Sequence, residues 1–409
     1  MAQLGIDFGT SNTAAAVMAG DAPFVIPLEG GNRTQPTAVF FDGTARKTQF
    51  GHAALRALVD GRDGRFMRAL KSVLGTPLMH ERRGIQHERL TLIEVVARFL
   101  EQVRKGAEAQ TGLAFDGVVS GRPVRFHPDP DRDARAQADL AQCYEMAGFS
   151  RVSFVPEPEA ASLASGGVAT GYGLIVDIGG GTSDFSVFRG MPGQIEVLAN
   201  HGIRLGGTDF DRMLSLAAVM PMMGLGSQIK ALFGPAAHDA PQAIFHDLAT
   251  WEKIPFLYTQ ATRRSVDEMA RLAVEPVLFR RLKAVLEDEL GHDVALAVET
   301  AKIAANQSGE GRVDLRLVAP GLGMPISGAM LSAELGPSAT SIGDNAMVAV
   351  KAAGIDPAEV TKVVMVGGSS LLSVVEADIR ARLPRAEIER SEAFTAVVAG
   401  LAIAAAKAG

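Results

Sequence analysis

Two segments of this sequence share one design. The first is Gly5-Ile6-Asp7-Phe8-Gly9-Thr10-Ser11-Asn12, and the second is Val176-Asp177-Ile178-Gly179-Gly180-Gly181-Thr182-Ser183-Asp184. In each, an aliphatic run reaches an aspartate, a Gly-Thr-Ser turn reverses the chain, and a second apolar run follows (Ala14 to Val17, and Phe185 to Phe188). A single copy would be an ordinary hairpin, because Gly, Ser, Thr and Asp are common turn residues. Two copies, with Asp7 and Asp177 standing 170 positions apart in a chain of 409, predict two similar lobes that each present a turn to a shared cleft.

The rest of the chain alternates short aliphatic runs with longer amphipathic ones, the pattern of α/β layers. Candidate strands are Leu4 to Asp7, Ala38 to Phe41, Gly117 to Ser120, Val152 to Val155, Leu174 to Ile178 and Lys362 to Val366. Ile93, Val96, Ala97, Leu100 and Val103 recur at helical spacing before Gly112, and a second helix is expected from about Asp133 to Ala147, stopped by Gly148. Cys143 falls on the apolar face of that helix and is expected to be a small core residue rather than a reactive thiol. Phe245, Trp251, Phe256 and Tyr258, between Leu225 and Thr262, read as core or as a partner surface.

Composition removes several function classes. Forty Lys and Arg against forty-six Asp and Glu give a net charge of −6 without a basic footprint, so neither nucleic acid nor an anionic membrane is an expected partner. One cysteine and an N-terminus without a signal-peptide pattern point to the cytoplasm. The stretch from Met213 to Ile229 is uncharged, but Pro221, Gly224 and Gly226 interrupt it, whereas a membrane span needs about 20 apolar residues. No Gly-Lys dipeptide exists, so there is no Walker-A loop, and G-x-S-x-G and H-E-x-x-H are also missing.

Consecutive glycine N–H groups flanked by hydroxyls make a concave donor surface suited to phosphate oxygens. A carboxylate aimed at the same point is tolerable beside phosphates when a cation lies between them, and magnesium is held in this way by one or two carboxylates plus substrate phosphates. Asp7 and Asp177 are the metal candidates; the plainer alternative is that they only cap turns.

Four runs then carry a resemblance in order and spacing: Gly5 to Asn12, Asp177 to Asp184, Gly206-Gly207-Thr208-Asp209-Phe210-Asp211, and Val366-Gly367-Gly368-Ser369-Ser370. They resemble the two phosphate motifs and the adenosine motif of the actin, sugar kinase and heat-shock ATPase superfamily. Within it the chain is similar to the ATPase domain of DnaK-type heat shock protein 70 chaperones, in the tail-less YegD-like branch. The resemblance implies an actin-like ATPase fold, with two duplicated ribonuclease-H-like lobes around a central nucleotide cleft. Lobe I is expected at residues 1–170, with a C-terminal helix at about 390–409 returning to it. Lobe II is expected at 171–390, including a helical subdomain at about 212–312, and no peptide-binding domain is expected.

The resemblance also implies roles. Lys71, in Leu70-Lys71-Ser72-Val73-Leu74-Gly75, stands where the family aims a lysine at the γ-phosphate and attacking water. Glu157, in Val155-Pro156-Glu157-Pro158-Glu159, matches the glutamate that contacts the magnesium waters. With Asp177 and Asp184 these form the catalytic set, and Asp184 or Glu157 would orient the water. Gly9, Thr10, Ser11, Asn12, Gly179, Gly180, Gly181 and Thr182 would cradle the phosphates of ATP or ADP. Gly206, Gly207, Gly367, Gly368, Ser369, Glu299, Lys302 and Asn306 would meet the rest of the nucleotide; without the resemblance the last trio reads as a solvated helix face. Pro123 resembles a proline that helps the family switch states, or is only a strand end.

Three features depart from the family pattern, one of them the region Leu225 to Thr262 with Trp251. Leu371 replaces the usual adenine-stacking arginine, and Glu392 to Val397 lacks the usual C-terminal register. The expected function is a slow magnesium-dependent ATPase that switches conformation, with an unidentified protein partner or client. A small-molecule kinase of the same fold and a nucleotide-binding scaffold or filament protein are the alternatives. Replacing both metal candidates (Asp7→Asn with Asp177→Asn) is expected to abolish the magnesium dependence of nucleotide binding; calorimetry with and without magnesium measures it, and an unchanged dependence refutes the metal role.

Overall fold

The aliphatic run that carries Asp7 is strand β1 (Ala2–Phe8), and the chain turns straight back as β2 (Asn12–Ala19) and again as β3 (Ala22–Val25). This computed structural model describes residues 2–127, 129–164, 171–191, 194–231, 236–390 and 395–408, so Glu392, Ala393 and Phe394 of the departing C-terminal run lie outside it. Two further strands, β4 (Phe115–Arg122) and β5 (Arg151–Pro156), add in parallel on the other side of β1, giving the order β5-β4-β1-β2-β3 with Gln35–Pro36 pairing off β2.

The second sheet repeats this construction. Strands β6 (Gly171–Ile178), β7 (Ser183–Met191) and β8 (Gln194–Ile203) form an antiparallel meander. On the other side of β6, β9 (Val360–Val366) and β10 (Glu387–Arg390) add in parallel, giving β8-β7-β6-β9-β10. The sequence duplication is therefore a duplication of topology. Leu174 to Ile178 are all buried, as expected of a central strand covered on both faces, where an unbroken apolar run replaces alternation. All six strands expected from the sequence are present, with ends shifted by at most three residues.

Helices α1 (Leu92–Thr111) and α2 (Pro130–Met146) cover one face of the first sheet. Thr91 and Glu94 close a capping box at the start of α1, and Gly112 ends it with φ +69°. Asp129 caps α2, whose Leu140, Cys143 and Tyr144 are fully buried, so Cys143 is a core residue. Burial pushes its thiol far above the ordinary range, which leaves it protonated and inert.

Two small-residue helices form the layer shared by the sheets: α3 (Glu157–Ala164) and, from the end of the chain, the helix at Ala396–Ala408. Their backbones touch. A Cβ on Gly400 would collide with the carbonyl of Ala160, and one on Gly5 of β1 would lie 2.7 Å from the backbone nitrogen of Ala402. Alanine and glycine dominate here because any larger side chain would force the layers apart.

By contact density the chain divides into Met1–Gly207 with Ala339–Gly409, which holds both sheets, and Thr208–Ser338. The second unit is mainly helical, with α4 (Gly207–Leu214) at its entry, then α5 (Gln260–Leu272), α6 (Pro276–Glu287) and α7 (Gly291–Ser308), and a hairpin pairing Glu310–Asp314 with Gly323–Ser327. The uncharged stretch from Met213 becomes short helical turns ending at Gly224. Phe245 and Trp251 are buried, so the aromatic region is chiefly core, and Tyr258 ties its hydroxyl to Glu289 and Gly291. Among the described residues no helix is long and apolar enough to cross a membrane.

Because Gly400 has no room for a side chain, Gly400→Leu is expected to cost at least about 2 kcal/mol of stability through overpacking. Urea denaturation of the purified variant measures this, and an unchanged midpoint would contradict the close helix contact.

Candidate functional site

The two Gly-Thr-Ser turns close with the same bond. The Gly9 N–H donates to the Asn12 carbonyl at 3.0 Å, and the Gly179 N–H donates to the Thr182 carbonyl at 2.9 Å. Register then fixes equivalent places for the aspartates: Asp7 pairs across its hairpin with Ala14, and Asp177 with Asp184. The duplication is thus asymmetric in charge, since the second hairpin carries an extra carboxylate where the first has Ala14.

The turns meet. A Cβ on Gly180 would lie 2.8 Å from both the Thr10 Cβ and the Ser11 Oγ, so only glycine permits this approach. The Gly181 side of the turn faces the hydroxyls of Ser72 and Thr10, each 3.4 Å from the position of a Cβ. Gly206 is pressed on the same turn, 2.7 Å from the Gly181 nitrogen by the same measure, and the Gly207 N–H donates to the Gly179 carbonyl at 2.9 Å. Gly367, with φ +83°, packs against the Asp177 carboxylate, and Ser369 lies against Gly207. Most of these turn residues keep partial exposure, within reach of a ligand.

Around the turns lies a concentration of charge. Lys71, on the single helical turn Leu70–Val73, donates to Glu157 at 2.7 Å, and both are buried. Gly121, near the end of β4, gives way to Glu157 and Asp7 together, with the Asp7 carboxylate 3.6 Å from where its Cβ would stand. Asp184, 1% exposed, accepts the Val124 N–H at 2.7 Å, and Val124 directly follows Pro123 at the end of β4. Burial, then repulsion from Glu157, lifts Asp7 to about 7 and Asp184 to about 8, and raises Asp177 well above its ordinary value. For Lys71 burial opposes the charge, but Glu157 and Asp7 outweigh it and raise its pKa. Four carboxylates against one ammonium leave an excess of three negative charges when all are ionised.

This imbalance fits a divalent cation held largely through water. Among the described residues no three His, Cys, Asp or Glu side chains converge closely enough to grip a metal directly. Asp7 and Asp177, one per hairpin, are the carboxylates that would hold it, and the ion would supply charge compensation between them and a bound phosphate chain.

The structure therefore brings together Asp7, Gly9 to Asn12, Lys71, Glu157, Asp177, Gly179 to Thr182, Asp184, Gly206, Gly207 and Gly367 to Ser369. Gly368 to Leu371 form a single helical turn on which Leu371 is 37% exposed. Glu299, Lys302 and Asn306 lie on α7 in the second unit, where Lys302 is buried in an ion pair with Asp211 at 2.7 Å. That corrects the solvated-face reading for Lys302. Asp211 and Ser72 were both within quoted motifs without a role, because their partners are remote in sequence. Val124 gave no signal at all, since its contribution is a backbone N–H.

A family model described as Hsp70 protein matches residues 3–220, more than half of the 409-residue chain.

The raised carboxyl groups predict a pH dependence. An aspartate held at about 8 in the fold, against 3.8 when free, binds its proton more tightly folded than unfolded. Its contribution to stability is therefore full below about pH 4 and is lost as pH rises towards 8. In chelator, without nucleotide, Asp184→Asn is expected to flatten the fall in stability between pH 5 and 8, roughly the interval Asp184 titrates over. Urea melts across that range measure the slope, and an equal slope in both proteins would contradict the burial argument.

Proposed function

The chain belongs to the Hsp70 family and is an ATP-binding, Hsp70-like protein, and from that premise we propose that it is a slow, magnesium-dependent ATPase that uses nucleotide to switch conformation. The observation that carries this reading is the placement of the buried Lys71–Glu157 pair beside the two opposed turns. Phosphoryl transfer asks little covalent work of a protein, so positioning and charge stabilisation dominate. Thr10, Ser11, Gly180, Gly181 and Thr182 would hold the β- and γ-phosphates. Lys71 would leave Glu157 to meet charge developing on the γ-phosphoryl oxygens, and the freed Glu157 carboxylate would orient water.

Asp184 links this chemistry to the fold. Its bond to the Val124 N–H joins the second hairpin to the end of the first sheet at Pro123, so a change in charge at Asp184 alters a contact between the sheets. We take the first sheet as the framework of lobe I and the second as that of lobe II, with ATP favouring whichever arrangement binds it better. Placement in the YegD-like branch and action on a protein client belong to the same proposal, with the cytoplasm as the expected setting. Leu371, which offers no cation for adenine, predicts weaker adenine selectivity than a stacking arginine would give.

Lys71→Ala is expected to abolish ATP turnover while changing nucleotide affinity by less than about tenfold, or roughly 1.4 kcal/mol. Single-turnover phosphate release and equilibrium binding separate the two quantities. Undiminished hydrolysis would overturn the assignment.

A further inference from the structure

Beyond the turns, one group of arginines in the first unit forms no ion pair among the described residues. Arg204 follows β8, and its guanidinium donates to the Ser72 carbonyl at 3.2 Å, next to Lys71. Arg132, in the first turn of α2, donates to His127 at 3.0 Å, and its Nε is buried without an acceptor. Among the described residues no carboxylate stands within ion-pair distance of Arg125, Arg132, Arg135 or Arg204. The acids nearest in sequence are engaged or outward-facing. Asp129 caps α2 through the Arg132 N–H, Asp133 pairs with Arg122 and accepts the Phe126 and His127 N–H groups, and Asp131 is exposed.

Three elements converge to build this patch. The Arg132 carbonyl lies 2.5 Å from where a Cβ on Gly75 would stand, which ties α2 to the turn that carries Lys71. The Arg125 nitrogen lies 3.6 Å from the corresponding point on Gly202, two residues before Arg204. The arginines are close enough to act on one another: burial, then Arg204 and Arg135, lower the pKa of Arg132 against the opposing pull of Asp129, and burial, Arg132 and Arg204 lower that of His127 against Asp129 and Asp133. Holding these cations together costs repulsion that an anion would remove.

We propose that Arg132 and Arg204 form a second anion site that takes inorganic phosphate, the product released at the adjoining turns, with His127, whose ring nitrogens meet Arg132 and the Asp129 N–H, holding Arg132 in place. The assignment to a product rests on the ATPase reading; the site itself rests on the geometry. Ser72 connects the two, because its carbonyl receives Arg204 while its hydroxyl faces Gly181. Phosphate leaving the turns would pass to arginines that already touch the Lys71 turn. An occupied site would draw Arg204 away from Ser72 and alter how that turn is held.

The experiment is titration of inorganic phosphate into the full chain by calorimetry, with magnesium and a saturating non-hydrolysable ATP analogue present to fill the turns, and again without nucleotide. Arg132→Gln and Arg204→Gln change half-buried and exposed side chains, and circular dichroism verifies their folding. Each variant is expected to weaken phosphate binding by about tenfold, in line with loss of one charge-assisted contact. No binding to the wild-type chain, or equal binding by wild type and both variants, overturns the site. Arginine-dependent phosphate binding in a chain that neither binds the analogue nor hydrolyses ATP supports the site and overturns the ATPase reading instead.

Discussion

The contact between the two hairpin turns is the constraint on which the rest depends. With a side chain at Gly180 the turn could not lie against Thr10 and Ser11, and with one at Gly206 the strand-to-helix connection could not lie against Gly180 and Gly181. These absences of side chains let backbone donors from two separate sheets face one small volume. The helix layer made by Ala160, Gly400 and Ala402 serves the same end, because its thin packing fixes the spacing from which the turns project.

Electrostatics then gives that volume its chemistry. Asp7, Glu157, Asp177 and Asp184 gather around a single ammonium, and burial alone would drive the three aspartates to hold protons. A metal ion and a phosphate chain would arrive as a matched set, the cation for the carboxylates and the anion for Lys71 and the N–H groups of the turns. Under the proposed ATPase reading, the buried Lys71–Glu157 pair would separate so that its two groups serve different parts of the reaction. Their mutual neutralisation explains how both are kept buried without ligand.

Much of this was legible in the sequence because it depends on local patterns. The repeated Asp and Gly-Thr-Ser turn announced two equivalent hairpins, and the aliphatic runs from Leu4 and Leu174 announced their central strands. Cys143 could be placed in the core from helical spacing alone. What stayed hidden depends on contacts between distant segments. Lys302 looked like part of an exposed ridge until Asp211, far back in the chain, proved to be its partner. The Val124 N–H that binds Asp184 has no side-chain signature, and the approach of Arg204 to Ser72 and of Arg132 to His127 is a property of surroundings that no short motif encodes.

The central claim is that both turns grip one phosphate chain. A crystal structure with magnesium and a non-hydrolysable ATP analogue tests it directly. The account predicts phosphate oxygens within hydrogen-bond distance of N–H groups from both Thr10 to Asn12 and Gly180 to Thr182, with Lys71 withdrawn from Glu157. A nucleotide held by only one turn, or bound elsewhere with the Lys71–Glu157 pair intact, would contradict it.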